Sequence, residues 1–176
     1  MKAKKIIRWG IIGVGDVCEV KSGPGFYKSE SSQLLAVMRR DIEKAKDYAK
    51  RHQVPFWYGN ASELLGNSDI DAIYIATPPA FHKDYAIAAL DAGKHVYIEK
   101  PVTRNGMECN AIIAAELRGT TKVCVAHYRR HVPCFMKIGA LLKEGAIGQP
   151  LMVQIDMLQP ATSKIITQTI DQWRVN

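Results

Sequence analysis

The stretch Ile6 to Cys18 constrains this chain more than any other. The apolar run Ile6 to Ile12 has the composition of a strand buried on both faces. Gly13-Val14-Gly15 then turns the chain, and Asp16-Val17-Cys18 opens a helix. A Cβ at position 13 would block so tight a turn, and a bare Gly15 lets a diphosphate approach the backbone. The first helical amides, at Asp16 and Val17, have no intrahelical acceptor and sit at the positive end of the helix dipole. Strand, glycine turn and helix in this order form a dinucleotide-binding βα signature, with an ordinary βα turn as the alternative. The third glycine of G-x-G-x-x-G is replaced here by Cys18, which fits less closely between helix and strand.

The rest of the chain repeats this alternation. Lys21-Ser22-Gly23-Pro24-Gly25 interrupts the first helix, so a loop or a second short helix follows, and Pro24 suits the first turn of such a helix. Strands are expected at Gln33–Met38, Pro55–Tyr58, Asp71–Ala76, His95–Ile98 and Lys122–Ala126. Helices are expected at Glu43–His52, capped by Asp41, from Asn60 with a capping-box pattern, at Ala80–Ala92, and after Thr103 as cap. Short connections between alternating strands and helices specify an α/β fold, a Rossmann-type doubly wound parallel sheet with helices on both faces. Trp9, Trp57 and Tyr74 stand in apolar strand contexts and are expected in the core.

After His127 the character changes. A charged connection, Tyr128 to Pro133, leads to a helix over Pro133–Glu144, with Gly145 and Gly148 behind it. Leu151–Leu158 alternates like a half-buried strand. The division expected is a dinucleotide-binding domain over 1–127 and the incomplete start of an α+β second domain over 128–176.

In such sheets ligands bind beyond the carboxyl ends of the strands, where the polar punctuation of this chain falls. The second strand ends in Arg39-Arg40-Asp41. An acidic residue there would bind the ribose of NAD, whereas arginine accommodates the 2′-phosphate of NADP. The arginine pair favours NADP, with NAD as the alternative, and Asp41 is better placed as a helix cap. Lys100 follows the fifth strand. A cation hydrogen-bonded to a carbinol oxygen would stabilise developing negative charge during hydride transfer, although an ion pair with Glu99 would also explain it.

Composition excludes several classes. The net charge of +7 is scattered over the sequence and forms no basic helix with interleaved aromatics, so no nucleic-acid partner is expected. No apolar run reaches the length of a membrane span, and no signal-peptide cleavage pattern follows the basic N-terminus; a cytoplasmic location and no membrane partner are expected. Cys18, Cys109, Cys124 and Cys134 stand singly, so no metal site is expected and the thiols read as free and partly buried.

Taken together, Gly10-Ile-Ile-Gly13-Val-Gly15, Ala76-Thr77-Pro78-Pro79 with His82, Ala92-Gly93-Lys94-His95-Val96, Glu99-Lys100-Pro101, Tyr128-Arg129-Arg130 and Gly145-Ala-Ile-Gly148 resemble the glucose–fructose oxidoreductase / inositol dehydrogenase (Gfo/Idh/MocA) family. The resemblance implies NAD(P)-dependent oxidation or reduction at a carbon of a sugar, polyol or related compound, with homo-oligomer formation through a second domain. By resemblance, Gly13, Val14, Gly15, Asp16 and Val17 meet the diphosphate and Arg39 and Arg40 border the adenosine end. Thr77, Pro78 and His82 line the path toward the nicotinamide. Glu99 and Lys100 lie near the reacting carbon, Lys100 as the catalytic residue. The family's Lys-Pro bond is often cis, which implies the same for Lys100–Pro101. Family members carry a further glycine-rich stretch with an aspartate and a catalytic histidine, and this sequence ends at Asn176 before one. The expectation is a fragment or shortened product that binds the cofactor but turns over poorly, its tail beyond Gln149 disordered, folded back or paired with another copy. A dinucleotide-binding sensor without catalysis is the competing reading.

Overall fold

The structure, a computed structural model, describes residues 6–156 and 158. The chain divides between His127 and Tyr128 into two compact units. In the first, six strands form one sheet: β1 (Ile7–Ile12), β2 (Ser32–Met38), β3 (Phe56–Tyr58), β4 (Ala72–Ile75), β5 (His95–Ile98) and β6 (Val123–Val125). All neighbours are parallel and the order is β3-β2-β1-β4-β5-β6. The α-helices of this unit among the described residues are α1 (Asp16–Val20), α2 (Gly23–Lys28), α3 (Ile42–Arg51), α4 (Ala61–Leu65), α5 (His82–Asp91) and α6 (Gly106–Leu117).

Each face of the sheet has its own core. On one, Cys18 of α1, Phe26 of α2 and Tyr48 of α3 pack on Ile11, Val37 and Tyr74. On the other, Leu64 of α4, Ala86 and Leu90 of α5 and Ile112 of α6 pack on Ile12, Met38, Ile73, Ile75 and Ile98. Adjacent residues such as Ile11 and Ile12 therefore serve opposite cores, which is why these strands read as unbroken apolar runs. A register shift against β1, between Trp9 and Gly10, places Leu35 and Ala36 of β2 in the same core.

Local chemistry sets the helix starts. Asp41 caps α3 by accepting from the Lys44 amide, and Asn60 caps α4 by accepting from the Glu63 amide. Pro24 stands in the first turn of α2. Three expectations are corrected here. Asn105, not Thr103, caps α6 by accepting from the Glu108 amide; Thr103 instead donates its hydroxyl to the Asn105 carbonyl. Trp57 is 41 % exposed because β3 is an edge strand of the sheet. β1 is buried on both faces only in its second half, since Ile7 is exposed. Of the four thiols, Cys18 is buried, Cys109 half-buried, and Cys124 and Cys134 are exposed.

In the second unit, a 3-10 turn (Tyr128–His131) precedes helix α7 (Pro133–Lys143), and Gly145 and Gly148 follow with positive φ. Residues 151–156 and 158 are exposed and form no strand, contrary to the alternating pattern; no neighbouring strand among the described residues offers them a ladder. Met157 and the chain beyond Leu158 lie outside the described residues. No helix among the described residues is long and apolar enough to cross a membrane. Those residues also hold no cluster of three or more His, Cys, Asp or Glu side chains suited to a metal ion.

Candidate functional site

The connections leaving β1 and β4 run to helices on opposite faces, so a crevice opens at the carboxyl ends of these two neighbours. A cavity of about 450 Å³ occupies it. Its floor is the turn Gly13-Val14-Gly15; its walls are Met38 to Asp41 after β2, and Ala76, Thr77, Pro78, Phe81 and Tyr85 after β4.

The turn is fixed from below. The amides of Gly13 and Val14 both donate to the Met38 carbonyl, at 2.9 and 3.4 Å. Gly13 has φ +97, and a Cβ there would stand 2.8 Å from Thr77 Cγ2 and 3.0 Å from the Ala76 backbone. At Gly15 the position of a Cβ is open space, with nothing within 4 Å. Asp16 and Val17 form the first turn of α1 but are not among the lining side chains; their amides are what they offer. Cys18 is accommodated without exposure, and burial pushes its thiol pKa up to about 12. It packs as a small neutral side chain.

The two arginines do different work. Arg39 donates through Nη1 to the Val14 carbonyl at 2.9 Å, tying the end of β2 to the glycine turn. The Arg40 guanidinium lies 5.3 Å from the centroid of the Phe81 ring, so wall residues following β2 and β4 meet over the tip of β1. Arg40 makes no ion pair among the described residues. Asp41 lines the cavity, yet its carboxylate is committed to the Lys44 amide and amine, and the Lys44 contact holds its pKa below the usual range.

Thr77 Oγ1 is buried and has no hydrogen-bond partner among the described residues. His82 is placed differently from the expectation. It is 1 % exposed and does not line the cavity. Its ring nitrogens bridge the Thr77 carbonyl at 2.7 Å and the Pro101 and Val102 carbonyls at 3.1 and 3.2 Å. It joins the loop after β4 to the loop after β5, and so sets where Thr77 and Lys100 stand. Pro78 lines the cavity.

Glu99 and Lys100 follow β5 and lie outside the cavity lining. The Lys100–Pro101 bond is cis. Glu99 accepts from the Tyr74 hydroxyl at 2.6 Å and from the Lys100 amide at 3.1 Å. The Lys100 side chain is exposed and makes no ion pair with Glu99, so the salt-bridge explanation of that lysine does not hold. The sequence reading did not single out Met38, Phe81 and Tyr85 of the lining. Phe81 and Tyr85 could have been found from their i, i+4 spacing beside Thr77-Pro78, which puts both on one helical face.

Sheet order and crevice together define a Rossmann domain of the dinucleotide-binding type. The particular family follows from comparison: the oxidoreductase family with an NAD-binding Rossmann fold, Gfo/Idh/MocA, matches residues 7–127, and the chain belongs to it. Oxidoreductase P35 of Formosa agariphila is 48% identical over 168 residues, which is 96% of this chain and 52% of that protein. Inositol 2-dehydrogenase of Acidothermus cellulolyticus is 30% identical, over 96% of this chain and 50% of that one. Among solved structures, KijD10, a 3-ketoreductase from Actinomadura kijaniata in complex with TDP-benzene and NADP, superposes with TM-score 0.76 at 28% identity, covering 82% of this chain and 46% of that one. The chain thus spans about half the length of the curated relatives it matches.

Proposed function

We propose that this chain is the cofactor-binding portion of an NADP(H)-dependent oxidoreductase that acts at a carbinol or carbonyl carbon of a sugar, polyol or related small molecule. The observation that carries this reading is the single cavity that joins the Gly13-Val14-Gly15 turn to Arg40. The residues fit the group. The open position at Gly15 leaves room for a diphosphate against backbone amides, and the unpartnered Thr77 hydroxyl offers a buried polar atom on the same wall. With Arg39 engaged by the Val14 carbonyl, Arg40 is the guanidinium suited to a 2′-phosphate. The bound nicotinamide would supply or accept the hydride. Lys100 would hold the substrate oxygen through its ammonium group and stabilise the charge that develops there. The substrate class is supported by the names of relatives, an inositol dehydrogenase among them, and the choice of NADP by the KijD10 complex.

Calorimetric titration with NADPH and NADH tests the reading. NADPH is expected to bind more tightly, and Arg40→Ala to weaken NADPH roughly tenfold, as for loss of a charge-assisted hydrogen bond, while leaving NADH unchanged. Absence of heat with every form of either dinucleotide would overturn it. In an active full-length form, Lys100→Ala should abolish turnover and spare cofactor binding; retained turnover would remove Lys100 from the chemistry.

A further inference from the structure

Tyr74 lies on β4 and is 0 % exposed, its ring packed 4.9 Å from Phe26 and 5.6 Å from Tyr97. A phenol sealed in a core needs a partner. It finds one in Glu99, whose carboxylate it meets at 2.6 Å. The other carboxylate oxygen takes the Lys100 amide at 3.1 Å. An ionised carboxylate has only acceptors, so two donors on its two oxygens suit the charged form. Burial, and next the bond to Glu99, push the Tyr74 pKa up, which keeps the phenol a donor.

The sheet fixes what Glu99 faces. With the adenosine end at β2, the other half of a dinucleotide lies across β1, over the tips of β4 and β5. The Glu99 amide donates to the Ile75 carbonyl at 3.0 Å, which sets Glu99 level with Ala76 of the cavity wall. We infer that Tyr74 is a positioning residue: it holds the Glu99 carboxylate at the nicotinamide end, and the pair makes the site favour the cationic oxidised ring over the neutral reduced one. This rests on the dinucleotide reading above. Phenylalanine at position 74 would keep the ring packing and remove only the donor.

The test titrates the whole chain, as wild type, Tyr74→Phe and Glu99→Gln, with NADP+, NADPH and 2′,5′-ADP, which carries the adenosine end but no nicotinamide. Removing the charge in Glu99→Gln should lower the NADP+ to NADPH affinity ratio about tenfold, and loosening it in Tyr74→Phe about threefold. Binding of 2′,5′-ADP should be the same for all three proteins. A merely structural role for Tyr74 would weaken all three ligands together and leave the ratio alone; that result, or an unchanged ratio in Glu99→Gln, overturns the inference. If Tyr74→Phe does not fold, Glu99→Gln decides alone. Failure of 2′,5′-ADP to bind the wild type would instead overturn the dinucleotide reading, and this inference with it.

Discussion

Gly13 is the residue with the least freedom to change. Its φ of +97 suits glycine alone, and an added Cβ would press on Thr77 and on the Ala76 backbone. Gly13→Ala should cost roughly 1–3 kcal/mol, read as a lowered midpoint in thermal unfolding. Lys94 has a comparable role far from the cavity. It is buried, and its amine donates to the Asn67 and Ile70 carbonyls at 2.9 and 2.8 Å. Lys94→Met removes the amine from both carbonyls, of which Asn67 keeps the Ile70 amide at 3.3 Å, and should cost roughly 1–3 kcal/mol by denaturant titration, without change in cofactor affinity. At this scale the sequence was legible where a residue's own backbone demand decides, as at Gly13, or where a short-range bond does, as at Asp41. It misled where the partner is distant in the chain. His82 reads as a helix opener facing a ligand, but its partners Pro101 and Val102 are supplied by another loop.

At the scale of elements, strands and order of connection were readable because a sheet covered on both faces demands continuous apolar runs. Ends were less so. Asn105 and Thr103 are both capping types two residues apart, and only the geometry at Glu108 selects between them. Trp57 shows the other failure: β propensity announces a strand without saying that it lies at an edge. The contact between α1 and α3 carries a pH dependence. Arg51 first, then His52, holds the Glu19 carboxyl down at about 2, from an ordinary 4.5. A carboxyl depressed in the folded state contributes stability that is fully present above its unfolded value and is lost as the pH falls through the folded one. Glu19→Gln should therefore lower the melting temperature near neutrality, and its gap from wild type should narrow as the pH drops from about 5 toward 2. A gap independent of pH would assign the contact no electrostatic share.

At the scale of the molecule, both cores of the first unit are built from residues before His127. A chain ending there should unfold cooperatively and bind NADPH with the affinity of the 176-residue chain, as measured by calorimetry. Loss of binding would show that the second unit takes part. That unit was the least legible. An alternating pattern states which face a strand would turn inward, but not whether a neighbour exists, and residues 151–156 have none among the described residues.

The crevice at the tip of β1 exists because the connections leaving β1 and its neighbour β4 depart to opposite sides of the sheet. Its opening is thus a property of chain path, not of any one side chain. Replacing Arg40, Phe81 or Tyr85 would alter the guest without shutting the door, and a lineage can retune such a site from its loop ends while the layers beneath stay as they are.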